Sequence, residues 1–94
     1  MKFMISWTIP PSTYKAAADG IVSYVSAGAP LPEGMTTLGR WHAPGSGYGW
    51  HLCEGDPVVV AQHVSEWATL AEIQVTPVID DHEAAKGLSA AHGQ

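Results

Sequence analysis

The spacing of apolar residues changes repeatedly along the chain, and the order of these changes restricts the fold more than any other feature. Four segments favour strands, the first and the last by alternation of apolar and polar side chains: 2–9, 35–43, 48–54 and 71–79. Apolar residues at helical spacing occupy the intervals at 12–27 and after Asp56. The chain is therefore predicted to fold in the order β-α-β-β-α-β.

Polar residues mark where the predicted helices begin. Ser12 follows two prolines and is placed to cap the first helix. Asp56 followed by Pro57 is a typical start for the second helix, because a capping carboxylate precedes a proline at the first helical position. Asp80 and Glu83 have the three-residue spacing of a capping box, which predicts a short third helix near the C-terminus.

The two central strands are expected to form a hairpin. Residues 44–47 between them consist of proline, glycine and serine and suit a four-residue loop. Such a loop would place Trp41 opposite Trp50 and Arg40 opposite His51. Because a slip of one residue would exchange the two faces of a strand, this register decides which side chains meet.

Residues 1–94 are predicted to form a single α+β domain with a ferredoxin-like βαββαβ arrangement. In this arrangement a four-stranded antiparallel sheet, with strand order 4-1-3-2, has both crossover helices on one face, and a short helix follows at the C-terminus. Pro77 cannot donate a ladder hydrogen bond, so it favours an edge position or a bulge for the last strand.

The two faces of the sheet are assigned by polarity. The face against the helices is expected to contain Phe3, Ile5, Trp7, Trp41, Trp50, Leu52, Ile73 and Val75. The open face is expected to contain Ser6, Thr8, Arg40, His42, His51, Cys53, Glu72, Gln74 and Thr76. Because Met4, Leu38 and Val78 also lie on the open face, we expect a second copy of this small chain to cover it as a homodimer.

Composition excludes several functional classes. Nine acidic residues against four basic ones give a net charge of −5, which disfavours binding to nucleic acids and to anionic membrane surfaces. No apolar run approaches the roughly 20 residues of a membrane-spanning helix, and the first residues lack the features of a signal peptide, so the expected compartment is cytoplasmic. The single cysteine, Cys53, excludes an internal disulfide.

The run Gly39-Arg40-Trp41-His42, followed by the glycine-containing loop, is a specific motif. On this motif and on most of its length the chain resembles the small DUF3303 proteins of bacteria. That family is similar to the dimeric α/β-barrel group of ferredoxin-like proteins, which implies two sheets facing each other across a dimer axis. The wider superfamily includes cofactor-free monooxygenases, isomerases and haem-dependent enzymes, so the resemblance implies a geometry rather than a reaction.

Arg40 is the only arginine and the first candidate for ligand binding. A guanidinium suits bidentate capture of a carboxylate or another planar anion. His42 lies two residues further along the same face and titrates near neutral pH, so it is a candidate both for ligand binding and for acid–base catalysis. His51 joins them if the hairpin register holds, and Ser6 and Thr8 offer hydroxyl groups from the neighbouring strand.

These residues also have structural explanations. Arg40 would pair with Glu72 of a second copy across the expected dimer, and the histidines would form hydrogen bonds at that interface. Glu72 is otherwise a candidate carboxylate base on the open face. The histidines lack a close-spaced ligand motif and Arg40 opposes a cation, so we expect no metal site and no cofactor.

Four tryptophans are many for a chain of this length, and all are assigned to the layer between sheet and helices: Trp7, Trp41, Trp50 and Trp67. Core packing explains them, and the alternative is an aromatic-walled pocket for a flat organic ligand. On the second helix Trp67 belongs to the apolar stripe, whereas His63 is expected to face water.

Two functions from different classes remain open. The first is a non-catalytic homodimer that binds a small organic anion in a cleft of the sheet face through Arg40 and His42. The second is a cofactor-independent oxygenase or isomerase that uses His42 or Glu72 for proton transfer and Arg40 to hold an enolate or carboxylate. Because the acid–base candidates are isolated, the sequence favours the first.

Overall fold

A computed structural model describes residues 1–93 and contains four strands and three α-helices. In chain order the elements are β1 (Lys2–Thr8), α1 (Tyr14–Ser26), β2 (Met35–Ala43), β3 (Tyr48–Gly55), α2 (Pro57–Trp67), β4 (Glu72–Val78) and α3 (Asp81–Ala91). The predicted order of elements is confirmed, and each strand boundary lies within one residue of its expected position. No helix within residues 1–93 has the length and apolar character needed to cross a membrane.

The four strands form one antiparallel sheet in the order β2-β3-β1-β4. This is the expected strand order, and β4, which contains Pro77, lies at an edge of the sheet. The predicted hairpin register is also confirmed, because Arg40 pairs with His51 and Trp41 with Trp50.

The predicted capping residues are confirmed at the starts of α2 and α3, but not at the start of α1. The Asp56 carboxylate accepts hydrogen bonds from two backbone N–H groups at the start of α2, and Asp80 and Glu83 form the predicted capping box of α3. The expected cap at Ser12 is wrong: a single 3-10 turn, Pro11–Thr13, leads into α1, which lacks a side-chain cap. Within the described residues, α3 buries none of its side chains.

The core lies between one face of the sheet and the helices α1 and α2. Its buried side chains come from three strands and from α2: Phe3, Ile5, Met35, Cys53 and Val60. Ala17 of α1 is buried above the same face. Both crossover helices therefore cover one side of the sheet, as expected.

The predicted assignment of β2 and β3 side chains to the two faces is wrong, and in β2 a β-bulge accounts for part of the error. The pairing skips one residue between Thr37 and Gly39, so Leu38 is extra and the alternation along β2 reverses. Met35 and Thr37 therefore share the helix side with Arg40, although their numbers differ in parity.

Pairing with β1 sets the faces of β3, because His51 lies opposite Ile5 and Cys53 lies opposite Phe3, and Ile5 and Phe3 are core residues. The helix side receives Arg40, His42, His51 and Cys53, whereas the open face receives Trp41, Trp50 and Leu52. Gly49, which follows the hairpin loop, is also on the helix side, opposite Trp7.

The hairpin loop is fixed against α1 and β1. Gly45 and Gly47 have φ angles of 86° and 80°, a conformation that glycine adopts without a steric penalty. The Gly45 N–H donates to the Tyr14 hydroxyl at 2.7 Å, and the Gly47 carbonyl accepts from the Ile9 N–H at 2.7 Å. These bonds hold the β2–β3 hairpin against the first helix.

Candidate functional site

A cavity of about 80 Å³ lies between the sheet and the two crossover helices and opens towards solvent. The sheet contributes Trp7, Arg40, His42 and His51 to its wall, and the helices contribute Tyr24, His63 and Trp67. Most of the remaining wall is aliphatic, including Ile5, Ile21, Val64 and Ile73. Within residues 1–93 this wall contains no carboxylate side chain, so Arg40 is its one permanently charged group.

Arg40 has two contacts, neither of them with a carboxylate. Its Cζ atom lies 5.4 Å from the centroid of the Tyr24 ring, a cation–π distance, and its Nη2 lies 3.3 Å from Nε2 of His51. Among residues 1–93 the ion pairs join Lys2 to Asp80 and Lys15 to Asp19. The only guanidinium of an acidic protein therefore has no counter-ion among residues 1–93.

The contacts of His51 determine its protonation state. This residue is 3% exposed, and Nε2 also lies 2.9 Å from the Thr37 hydroxyl oxygen. Since a guanidinium only donates, Nε2 accepts from Arg40 and the ring proton is on Nδ1. Burial lowers the pKa of His51 to about 4, and the nearby Arg40 and His63 contribute further.

Two more histidines border the cavity. The His42 ring lies 5.6 Å from that of Trp7, and the His63 ring lies 6.3 Å from that of His51. Burial is the main cause that lowers the pKa of both, and Arg40 adds to it, although Glu66 acts in the opposite direction on His63. The cavity therefore combines one fixed positive charge with imidazoles that are neutral at neutral pH.

The predicted orientation of His63 towards water is wrong, because this residue of α2 is only 8% exposed and lines the cavity. On α2, positions 60, 63, 64 and 67 have the i, i+3, i+4, i+7 spacing of one helix face. That spacing is the sequence signal that indicates a buried His63. The prediction failed because histidine was assigned to the water-facing side by its polarity.

Aromatic side chains form much of the cavity wall. Trp67 meets Tyr24 edge-to-face at 5.3 Å, and the Trp7 indole lies directly on Gly49, where a Cβ atom would overlap it. The expectation that all four tryptophans face the helices is wrong. Trp41 and Trp50 lie on the open face and are 56% and 41% exposed.

The sequence-predicted site residues separate into two groups. Arg40, His42 and His51 come together as expected, but they line the cavity under the helices instead of the open face. Ser6 and Thr8 lie on the opposite side of the sheet, and Thr8 pairs there with Glu72. These three residues border a shallow depression together with exposed aromatic side chains of β3.

Ser6, Thr8 and Glu72 lie apart from Arg40 in the protomer. None of them lines the cavity that contains Arg40, so they do not form one site with it inside the protomer. Arg40 faces the helices and Glu72 faces the other side of the sheet, so the two side chains point to opposite faces.

The cavity wall, with the positive charge of Arg40 and no carboxylate within residues 1–93, suits an anion better than a cation. In the part of the chain that the structure describes, no three side chains among His, Cys, Asp and Glu are grouped so as to hold a metal ion. Cys53 is fully buried in the core, and burial raises the pKa of its thiol, which keeps it protonated.

Comparison with known proteins agrees with the resemblance seen in the Gly39–His42 motif. No curated protein and no solved structure matches the chain. A family model, the domain of unknown function DUF3303, matches residues 1–92. The match extends over all four strands and all three helices, and the chain belongs to the DUF3303 family.

Proposed function

We propose that this protein is a binding protein for a small organic anion, which Arg40 holds in the cavity between the sheet and the helices. One observation supports this above all: the only arginine lies in a largely apolar cavity and has no carboxylate partner within residues 1–93. Buried or half-buried guanidinium groups are normally paired, because an uncompensated charge is costly to remove from water. A bound anion would supply the missing charge.

The contacts of Arg40 with its neighbours leave N–H groups of its guanidinium available to bind an anion. One N–H group is directed to His51 and the guanidinium lies over the Tyr24 ring, so most of its five N–H donors have no acceptor among residues 1–93. The neutral histidines add hydrogen-bonding capacity without adding charge. In a cavity with few polar groups, a charge-assisted bond to an anion is stronger than it would be in water.

The geometry favours binding over proton-transfer catalysis. A catalytic function needs a base near the group that holds the substrate, and Glu72 lies on the other face of the sheet. His42 borders the cavity, but its neighbours there are Trp7 and Arg40 and include no carboxylate to orient or polarise it. The cofactor-independent oxygenase or isomerase is therefore the less supported alternative.

Native mass spectrometry of gently purified protein tests the binding function. We expect a mass increment of one small anion per protomer that disappears on denaturation and is lost in Arg40→Gln, which removes the charge but keeps hydrogen-bonding capacity. Lys15→Gln is the matched control, since it removes one positive charge from the exposed Lys15–Asp19 pair. An increment that Arg40→Gln retains undiminished would contradict the proposal.

We also propose a homodimer of the ferredoxin-like, dimeric α/β-barrel type, formed through the open sheet face in the cytoplasm. The strand order and the helices on one side support this arrangement, and so does the exposure of Trp41, Trp50 and Tyr48 on the other side. In such a dimer the anion cavity lies on the far side of each sheet from the interface.

Sedimentation equilibrium tests the dimer. We expect a dimer for the wild type and a monomer for Trp50→Lys, because a lysine in the centre of this face would be buried unpaired. Val22→Lys is the control, since Val22 is exposed on α1, on the helix side of the sheet. A monomeric wild type would contradict the dimer and would leave the anion site of the protomer intact.

A further inference from the structure

The lining of the cavity restricts which organic anion fits it. We infer that the ligand is a planar, single-ring aromatic monocarboxylate, with the carboxylate on Arg40 and the ring among the aromatic side chains of α1, α2 and β1. This inference rests on the proposed anion-binding function and specifies its ligand class.

The orientation of Arg40 sets the position of the carboxylate. Its guanidinium covers the Tyr24 ring, with 5.4 Å between Cζ and the ring centroid. A carboxylate binds at the edge of a guanidinium, in the plane of its N–H groups, and so does not compete with an aromatic ring on its face. The anion is therefore expected beside Tyr24, and its organic part then extends into the cavity.

The wall beyond Arg40 favours an aromatic ring. Tyr24 and Trp67 already meet edge-to-face at 5.3 Å, and Trp7 and His42 do so at 5.6 Å. Aromatic rings gain from edge-to-face and offset-stacked neighbours beyond the burial of their area. A flat ring between these two pairs would make such contacts, which a saturated ring of similar size cannot reproduce.

Size and charge limit the ligand further. The cavity volume is about 80 Å³, whereas an engineered cavity of about 150 Å³ holds a benzene molecule entirely. The enclosed space is therefore too small to hold a ring completely, so a single ring would extend into the opening of the cavity, and two fused rings would leave most of their surface outside it. Because Arg40 is the only charged side chain in the described wall, a second carboxylate inside the cavity would have no partner.

Nuclear magnetic resonance of the tryptophan indole N–H groups tests this ligand class on the wild-type protein. Two indoles, Trp7 and Trp67, line the cavity, and two others, Trp41 and Trp50, lie on the open face as internal controls. The ligands to titrate are benzoate, cyclohexanecarboxylate with equal charge but a puckered ring, benzamide with the same ring but no charge, and propionate.

We expect benzoate to shift the Trp7 and Trp67 signals and to leave those of Trp41 and Trp50 in place. Cyclohexanecarboxylate, propionate and benzamide should each bind at least about tenfold more weakly, because each lacks either the ring contacts or the charge-assisted bond. In Trp67→Leu the preference for benzoate over cyclohexanecarboxylate should fall by several-fold, and in Trp50→Leu it should not change.

The other outcomes separate this inference from the function on which it rests. If all three carboxylates shift Trp7 and Trp67 with similar affinity, the aromatic ligand class is wrong and the anion-binding function stands. If benzamide binds as tightly as benzoate, or if no carboxylate moves these signals, both are wrong. The wild-type comparison holds even if a tryptophan variant fails to fold.

Discussion

The Nη2 atom of Arg40 lies 3.3 Å from Nε2 of His51, an imidazole that is 3% exposed. Since Arg40 can only donate, His51 must remain neutral to accept this bond, and protonation would place two positive charges in contact. Arg40 thus keeps its charge while its nearest neighbour has none. The described wall of the cavity therefore has one positive centre, which is the basis of the proposed anion binding.

The first prediction concerns stability against pH. The folded-state pKa of His51 is about 4, below its ordinary value of 6.5, so the unfolded chain binds this proton more tightly. The folded state therefore has its full stability with respect to His51 above about pH 6.5, and it loses stability as the pH falls from about 6.5 towards 4. Between about pH 7 and about pH 5, urea unfolding should show a loss of at most about 2 kcal/mol from this residue.

His51→Gln is the control for the pH prediction, because glutamine keeps a hydrogen-bonding side chain and does not titrate. Its unfolding free energy should vary less with pH over the same window than that of the wild type. His42 and His63 also have lowered pKa values, so some pH dependence should remain in the variant. Equal slopes for variant and wild type would show that His51 is not neutralised by folding.

Arg40 should contribute little to stability. Its contact with the Tyr24 ring is of a kind worth about 0.5–2 kcal/mol, and Arg40→Gln leaves no carboxylate unpaired. Breaking a buried ion pair, in contrast, costs about 3–5 kcal/mol. We therefore expect Arg40→Gln to lower the free energy of unfolding, measured in urea at neutral pH, by less than about 2 kcal/mol. A larger loss would assign Arg40 a structural role.

Two glycines beside tryptophan rings should respond in opposite directions to alanine. A Cβ atom at Gly49 would overlap the Trp7 indole, so Gly49→Ala should displace that cavity wall and cost about 1–3 kcal/mol. A Cβ atom at Gly20 in α1 would lie 3.6 Å from the Trp67 ring, an ordinary contact. Because alanine favours helix, Gly20→Ala should raise stability by about 0.5–1 kcal/mol.

Thermal unfolding followed by tryptophan fluorescence measures both glycine variants. The midpoint should fall for Gly49→Ala and rise for Gly20→Ala. A fall of similar size in both would mean that the α1–α2 packing is as tight at Gly20 as the sheet is at Gly49, contrary to the contacts seen here.

The two aspartate caps should differ in their effects. Asp56 caps α2, which packs Val60 into the core, so Asp56→Ala should lower global stability by about 1 kcal/mol. Asp80 caps α3, which buries no side chain, so Asp80→Ala should reduce the helical circular-dichroism signal and change the urea midpoint little. An equal loss of global stability in both variants would show that α3 is coupled to the core.

Local sequence signals predicted the elements of this fold well. The alternation in β1 and β4, the cap at Asp56 and the turn residues at 44–47 each act over a few residues, and the structure confirms the elements that they predicted. The hairpin register followed from loop length, and the sheet order followed from the sequence of elements. These features do not depend on distant contacts.

The face of the central hairpin could not be predicted in the same way. One extra residue at Leu38 reverses the alternation of β2, and the adjacent Gly39 is the one local signal of a bulge, which the predicted face assignment did not use. Polarity then misled the assignment, because Trp41 and Trp50 are exposed while Arg40 and His51 lie under the helices. A binding site violates the ordinary rule that apolar residues are buried and polar ones exposed.

The measurement that tests the central claim most directly is the nuclear magnetic resonance signal of the guanidinium Nε–H group. Arg40 is the only arginine, so the protein gives a single such signal, which needs no assignment by mutation. On titration with benzoate we expect this signal to shift and saturate together with the Trp7 and Trp67 indole signals. A guanidinium signal that stays in place while benzoate saturates the protein elsewhere would contradict anion binding by Arg40.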